Sequence, residues 1–254
     1  METKAFVIDE RNVASYARQI AEWIREQVAN TRKAGIVLGI SGGVDSAVVA
    51  RLCQLARVDV HLLVMPYGDD MARAGHLAHV MELVETFRFR HHLFDIRPAV
   101  DALAITAPFN DEDAERLAMS RANLRPRTRM TYLYQVAQLE NRLVAGTGNL
   151  AERTVGYFTK WGDGACDLNP LAMLVKKEVY ALARYLGVPA GIIDKRPSAG
   201  LWEGQADEDE LGITYAQIDA YILNGTSDDP AVDEAIERRA DLSAHKFEKT
   251  PVFE

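Results

Sequence analysis

A doubly wound parallel sheet with helices on both faces is the fold class that the sequence predicts, and three observations predict it. Short apolar runs (GIVLGI at 35–40, VDVHLLVM at 58–65, RLVAG at 142–146) alternate with longer segments of helical periodicity. The run at 35–40 is continuously apolar and bounded by glycine, as expected of a strand buried on both faces. Strand and helix alternation in turn implies parallel pairing through crossover helices.

The elements follow in order. Over 12–32, Val13, Tyr16, Ile20, Trp23, Ile24 and Val28 fall near helical spacing and predict an amphipathic helix. The run at 35–40 is the first strand, and a helix over 47–56 follows it. The second strand, 58–65, stops at Pro66. A helix over 72–87 leads to a short third strand at 91–95. Helical pieces are expected at 101–106, 111–123 and 128–140, before the fourth strand at 142–146. The stretch 147–170 is rich in Gly, Thr, Asp and Asn and predicts only short helices. A helix over 175–186 is stopped by Gly187 and Pro189. The segment 196–212 carries five acidic residues and reads as a long functional or mobile loop. Helices at 215–223 and 230–245 finish the chain. No repeat or linker divides it, so one domain over 1–254 is expected.

Composition narrows the function classes. The 254 residues are 48% hydrophobic and 26% charged, with a net charge of −8. No stretch approaches the roughly 20 continuous apolar residues of a membrane span. The first residues carry charges where a secretory signal needs an apolar run, so a cytoplasmic protein with no membrane partner is expected. The acidic balance speaks against a nucleic-acid partner. Cys53 and Cys166 are the only cysteines, which suggests neither a disulfide scaffold nor a thiolate metal site. The pair His91-His92 lacks other ligand types at useful spacing, and His61 and His76 stand in no motif.

The informative string is Ser41-Gly42-Gly43-Val44-Asp45-Ser46, between the first strand and a helix. Two glycines let backbone N–H groups turn inward and approach an anion closely. Ser41 and Ser46 add hydroxyl donors, and the helix N-terminus adds its positive end. Asp45 would repel phosphate unless a cation lay between them, which argues for Mg²⁺. A Walker loop is ruled out because no Lys is present, and a dinucleotide loop because the glycine spacing is wrong.

This string resembles the signature loop of the N-type ATP pyrophosphatases, which cleave ATP between the α- and β-phosphates to form an adenylate. Further motifs narrow the resemblance: RTRMT at 127–131, GTGNLAE at 146–152, VGYFTKWGDG at 155–164, DLNPL at 167–171, PSAGLW at 197–202, DEDELGI at 207–213 and His245-Lys246. Together these are similar to the ammonia-dependent NAD synthetases, from about Tyr16 to the C-terminus. The resemblance implies an adenine nucleotide alpha hydrolase-like fold. It implies ATP contacts from Gly39, Ile40, Ser41, Gly42, Gly43, Val44, Asp45, Ser46, Thr147, Lys176 and Ser198. Asp45 and Glu152 would hold Mg²⁺, and Arg127, Lys160, Asp167, His245 and Lys246 would contact deamido-NAD. Ser198 stands where many relatives have Thr, which keeps the hydroxyl. A homodimer is implied, with the dinucleotide site across the interface.

The implied reaction converts a nicotinate carboxylate to an amide. Oxide is a poor leaving group, so AMP is first transferred to the carboxylate, releasing pyrophosphate, and ammonia then displaces AMP. Two anions must meet, which calls for Asp45-bound Mg²⁺, Lys160, Lys176 and loop N–H groups, with Asp167 as a candidate proton acceptor. No Cys-centred glutaminase segment is visible, so free ammonia is the expected nitrogen donor. Taken one at a time, Lys160 and Lys176 would be solvated lysines, Glu152 a helix N-terminal acid, and 207–210 a solvated face. Two other functions compete: a GMP synthetase-like or tRNA-modifying ATP pyrophosphatase, and a non-catalytic ATP-binding module.

Overall fold

The computed structural model describes residues 7–73, 75–105, 114–198 and 206–253. Among the described residues the sheet has four parallel strands, β1 (Ile36–Gly39), β2 (Val60–Val64), β3 (Arg90–Leu93) and β4 (Leu143–Ala145), in the order β3-β2-β1-β4. Ile36 pairs with Val60 on one side and Leu143 on the other, and Leu38 with Leu62 and Ala145. The predicted fold class is the one observed.

Strand periodicity divides the core into two layers. Ile36, Leu38 and Leu62 face α1 (Val13–Thr31), α2 (Val44–Leu55), α4 (His76–Phe87), α8 (Lys176–Tyr185) and α9 (Ala190–Ile193). Val37, Leu63 and Val144 face α5 (Arg97–Ile105) and α6 (Ala114–Glu140). In α1 the buried set Val13, Ala17, Ala21, Ile24 and Val28 keeps the expected stripe. A third cluster joins α7 (Leu150–Thr154), α11 (Tyr215–Asn224) and α12 (Pro230–Ser243) through Val155, Ile218, Ile222 and Ile236.

Several boundaries differ from the sequence reading, among them α5, which begins at Arg97 where a helix over 101–106 is expected. The helix expected over 72–87 is two, α3 (Asp70–Arg73) and α4, because Gly75 adopts φ +71° between them. The pieces expected at 111–123 and 128–140 are one 27-residue helix, α6, which passes through Pro126. Packing of Leu124, Tyr132, Leu133, Val136 and Ala137 onto the sheet outweighs the missing N–H. Residues 111–113 lie outside the described set. The loop at 196–212 contains a helix, α10 (Asp207–Leu211), closed by Gly212, while residues 199–205, including Trp202, lie outside the described residues. The phosphate loop's helix starts at Val44, three residues earlier than periodicity placed it.

Strands β2 and β4 flank β1 on opposite sides. The connections leaving β1 and β4 therefore diverge, opening a crevice beyond their C-terminal ends. Open parallel sheets bind ligands at such switch points.

Candidate active site

The crevice is a cleft of about 1040 Å³. Ordinary small-molecule sites span about 300–1,000 Å³, so two substrates fit side by side. Residues after β1 form one wall. Gly42 adopts φ +78°, and a Cβ there would lie 2.8 Å from the His76 carbonyl, so only glycine fits. Gly43 then caps α2, placing Asp45 in its first turn. The loop is braced by its own serines: Ser46 Oγ donates to the Gly43 carbonyl at 3.0 Å, and Gly43 N–H donates to Ser41 Oγ at 3.2 Å.

The segment after β4 forms the second wall. Asn149 and Glu152 make a reciprocal capping box at the start of α7. This leaves Asn149 Nδ2 free to donate to Asp45 Oδ1 at 2.9 Å, tying the two walls together. Lys176 enters from the N-terminus of α8. Asp219 accepts from the Lys176 and Lys177 backbone N–H groups at 3.0 and 2.8 Å, which fixes where that side chain starts. Its ammonium lies 2.7 Å from Asp45 Oδ2 and 3.6 Å from Glu152 Oε1, and 4.6 Å from the centre of the Tyr215 ring. Tyr215 Oη donates to Asp207 Oδ2 at 2.9 Å and lies 3.3 Å from Glu152 Oε1.

The electrostatics follow from this crowding. Burial, then the charge of Asp45, pushes the Glu152 carboxyl up to about 8 despite Lys176. Burial alone would lower Lys176, but Asp45 and Glu152 outweigh it and hold the ammonium above its ordinary range. Two carboxyls face one ammonium, so Glu152 holds its proton until a further cation arrives. Among the described residues no group of three or more His, Cys, Asp and Glu converges to cage a metal. Asp45 and Glu152 are instead a pair of hard oxygen donors converging on one cation, the donor set that Mg²⁺ takes when phosphate and water supply the rest. The residues present fit that ion.

The structure brings together part of the expected site. Gly39, Ile40, Ser41, Gly43, Val44, Asp45, Ser46, Thr147, Glu152, Lys176, Ser198 and Lys246 line the cleft, and Gly42 forms the loop corner behind it. Arg127, Lys160, Asp167 and His245 do not line it. Arg127 Nε lies 3.4 Å from the Lys160 carbonyl, and Lys160 Nζ donates to the His245 carbonyl at 2.5 Å. Lys246 Nζ donates to the Gly156 and Phe158 carbonyls at 2.6 and 2.8 Å. Asp167 accepts from Val144 N–H at 2.8 Å and Tyr134 Oη at 3.2 Å at the sheet edge.

Sequence reasoning missed Asn149 and Tyr215 as site residues and misplaced Asp207. The Asn-x-x-Glu spacing of 149–152 marks a capping box and could have flagged Asn149. Tyr215 carries no such signal. Asp207 was expected on a solvated face, but only Asp209 and Glu210 are exposed; Asp207 is buried against Tyr215.

Comparison with known proteins bears on this geometry. The family model described as NAD synthase matches residues 16–252. The chain belongs to the NAD synthase family. A relative from Carboxydothermus hydrogenoformans, an NH(3)-dependent NAD(+) synthetase, is 42% identical over 233 residues, covering 90% of this chain and 92% of its own. Among solved structures, an NMN synthetase from Francisella tularensis is similar with TM-score 0.87 and 39% identity, covering 95% of this chain and 99% of that one. An NH3-dependent NAD synthetase from Campylobacter jejuni gives 0.78 and 30%, covering 98% and 100%. The phosphate loop and the capping box after β4 thus belong to an NAD synthase fold matched over nearly its whole length.

Proposed function

We propose that this NAD synthase family member amidates deamido-NAD to NAD with ammonia as nitrogen donor, consuming ATP and releasing AMP and pyrophosphate. The observation that carries the reading is Lys176, buried between Asp45 of the phosphate loop and Glu152 of the β4 segment, at the switch point of the sheet.

The chain's residues divide the work. N–H groups of 42–46 and the hydroxyls of Ser41 and Ser46 cradle the phosphates. Thr147 and Ser198 add hydroxyls from the facing wall. Asp45 and Glu152 would hold Mg²⁺, which would neutralise phosphate charge. Lys176 is oriented by Asp45 and Glu152 toward the α-phosphate, where negative charge builds as the substrate carboxylate attacks. Expulsion of pyrophosphate leaves the acyl-adenylate, and ammonia then displaces AMP. The proton that this amine sheds passes to the departing AMP or to water.

We further propose a homodimer. Arg127 and His245 are exposed and, with Lys160 and Asp167, lie off the cleft of a single chain, where a second copy would bring the far half of a dinucleotide. The chain acts as one unit over 1–254. Among the described residues no helix is long and apolar enough to cross a membrane. A cytoplasmic setting suits its two free thiols, Cys53 pushed up to about 12 by burial and Cys166 raised by burial and Asp167.

Incubation with ATP, Mg²⁺, ammonium and deamido-NAD tests the reading: NAD and AMP should form in equal amounts, and absence of either overturns it. A second reading, a mononucleotide substrate, is favoured by the likeness to the NMN synthetase structure at TM-score 0.87. Running nicotinate mononucleotide in parallel decides between them by kcat/KM.

A further inference from the structure

One cation in the cleft is used by nothing described so far. Lys195 follows α9, whose Ile192 is 1% exposed in the core and which packs on α2, the helix that opens from the phosphate loop. The Lys195 side chain lines the same cleft as Ser41, Gly43 and His76. Lys176 is tied to Asp45, Lys160 to the His245 carbonyl and Lys246 to two carbonyls. Lys195 is half-buried and has no hydrogen-bond or ion-pair partner among the described residues. A half-buried ammonium without a partner is unfavourable unless an anion joins it. Burial accordingly lowers its pKa to about 8, with Asp207 the one charge opposing the shift.

Its surroundings indicate which anion. Burial, and after it the charge of Lys195, hold the His76 ring down at about 4. His76 in turn packs on Gly42. Lys195 therefore serves the Gly42 side of the phosphate loop, whereas Lys176 serves the Asp45 side. An extended triphosphate over this loop has its α-phosphate next to Lys176, and its remaining phosphates need a second cation.

We infer that Lys195 binds the β- and γ-phosphates of ATP and holds the pyrophosphate leaving group, a role that rests on the adenylating function proposed above. In that step a carboxylate oxygen forms a bond to the α-phosphorus, and the bond from that phosphorus to the bridging oxygen breaks. Its electron pair departs on pyrophosphate. Lys195 stabilises the new charge as an ammonium and transfers no proton.

The test is binding of ATP, AMP and inorganic pyrophosphate to the full-length protein and to Lys195→Met and Lys195→Arg, by calorimetry with Mg²⁺ present. Loss of a charge-assisted contact should weaken ATP and pyrophosphate about tenfold or more in Lys195→Met. AMP affinity should stay within about twofold, and Lys195→Arg should restore most of the ATP affinity. AMP binding also reports that the variant is folded, which a merely structural role would not leave intact. Unchanged ATP affinity, or parallel loss of ATP and AMP, overturns the inference. Because these are binding measurements, they stand apart from the NAD-formation assay. A wild-type protein that made no NAD would refute the proposed function while leaving the phosphate assignment to be judged on its own data.

Discussion

Two glutamates of similar exposure, Glu152 and Glu140, sit at opposite ends of the sheet and titrate in opposite directions. Glu152 lies beyond the C-terminal ends of the strands with its side chain 18% exposed; Glu140, at the end of α6, is 23% exposed. Burial pushes both up. For Glu140 it is outweighed, because His61 Nδ1 lies 3.0 Å away, Arg90 binds both carboxylate oxygens and Arg142 Nε donates at 2.7 Å. Arg142 continues to Asp59, so the network closes on itself. Ionised Glu140 only accepts, so His61 Nδ1–H donates to it, and the neutral ring's Nε2 accepts from His92 at 2.6 Å. Glu152 faces Asp45 and Asp207 with Lys176 as its nearby cation, and stays at about 8. The lower network is compensated and holds the sheet together. The upper one is left short of positive charge, which is the state a site for metal and nucleotide requires.

The largest expected effect comes from relieving that charge imbalance at the top. Asp45→Asn removes a proposed metal ligand and one of the two carboxylates orienting Lys176. NAD formation should fall about 10³-fold, while urea unfolding stays close to wild type, since the Asn149 contact and an amide at position 45 survive. Turnover within a few fold of wild type would remove the metal role. The reverse pattern is expected at the bottom. Glu140→Ala leaves His61, Arg90 and the buried Arg142 without their shared acceptor. It should destabilise the fold by about 3 kcal/mol, read by urea unfolding, with kcat of the folded enzyme retained.

This contrast also marks where the sequence was readable. The fold class and the phosphate loop were legible because both are local. Apolar runs and helical stripes report burial residue by residue, and Gly42-Gly43 before a helix describes a backbone shape. Helix boundaries that depend on tertiary packing were not. Pro126 predicts a break that α6 ignores, because Leu124 and Leu133 are held against the sheet on either side of it. In the site, Asp45, Glu152 and Lys176 were found through motifs, and the structure brings them together. Tyr215 was not found, since nothing local distinguishes it from the other buried residues of α11. The His61–Glu140 pairing joins residues 79 apart in sequence, which left His61 looking inert.

pH separates Glu152 from the buried histidines by sign. The raised Glu152 keeps its proton in the folded state, so its contribution to stability declines as pH rises from the ordinary 4.5 through about 8. Magnesium and ATP need it ionised, so their affinity should tighten over the same window. Calorimetric titration from pH 6 to 9 checks this, and Glu152→Gln should flatten it. His61, lowered chiefly by burial, and His76, held at about 4, act in the other direction. Both are neutral when folded, so their contribution is complete above the ordinary 6.5 and is lost as pH falls toward 4. His61→Asn should weaken that acid limb of unfolding without moving the alkaline binding limb.

The smallest expected effect tests whether the upper cluster depends on its neutral member. Tyr215 Oη lies between Asp207 and Glu152, and its pKa is raised by burial and by those two charges, so it stays a phenol. It is one of the donors holding Asp207 and Glu152 at a fixed separation. Tyr215→Phe keeps the ring under Lys176 and removes that donor. A hydrogen bond to a partly buried carboxylate contributes on the order of 1 kcal/mol, so ATP affinity should fall about fivefold. The alkaline limb assigned to Glu152 should stay in place, because the one proton of the phenol goes to Asp207. Unchanged affinity would mean that the ring contact with Lys176, which Phe keeps, is all that Tyr215 supplies. In that case the shortage of positive charge at the top of the sheet would be set by Asp45 and Asp207 without help from the phenol.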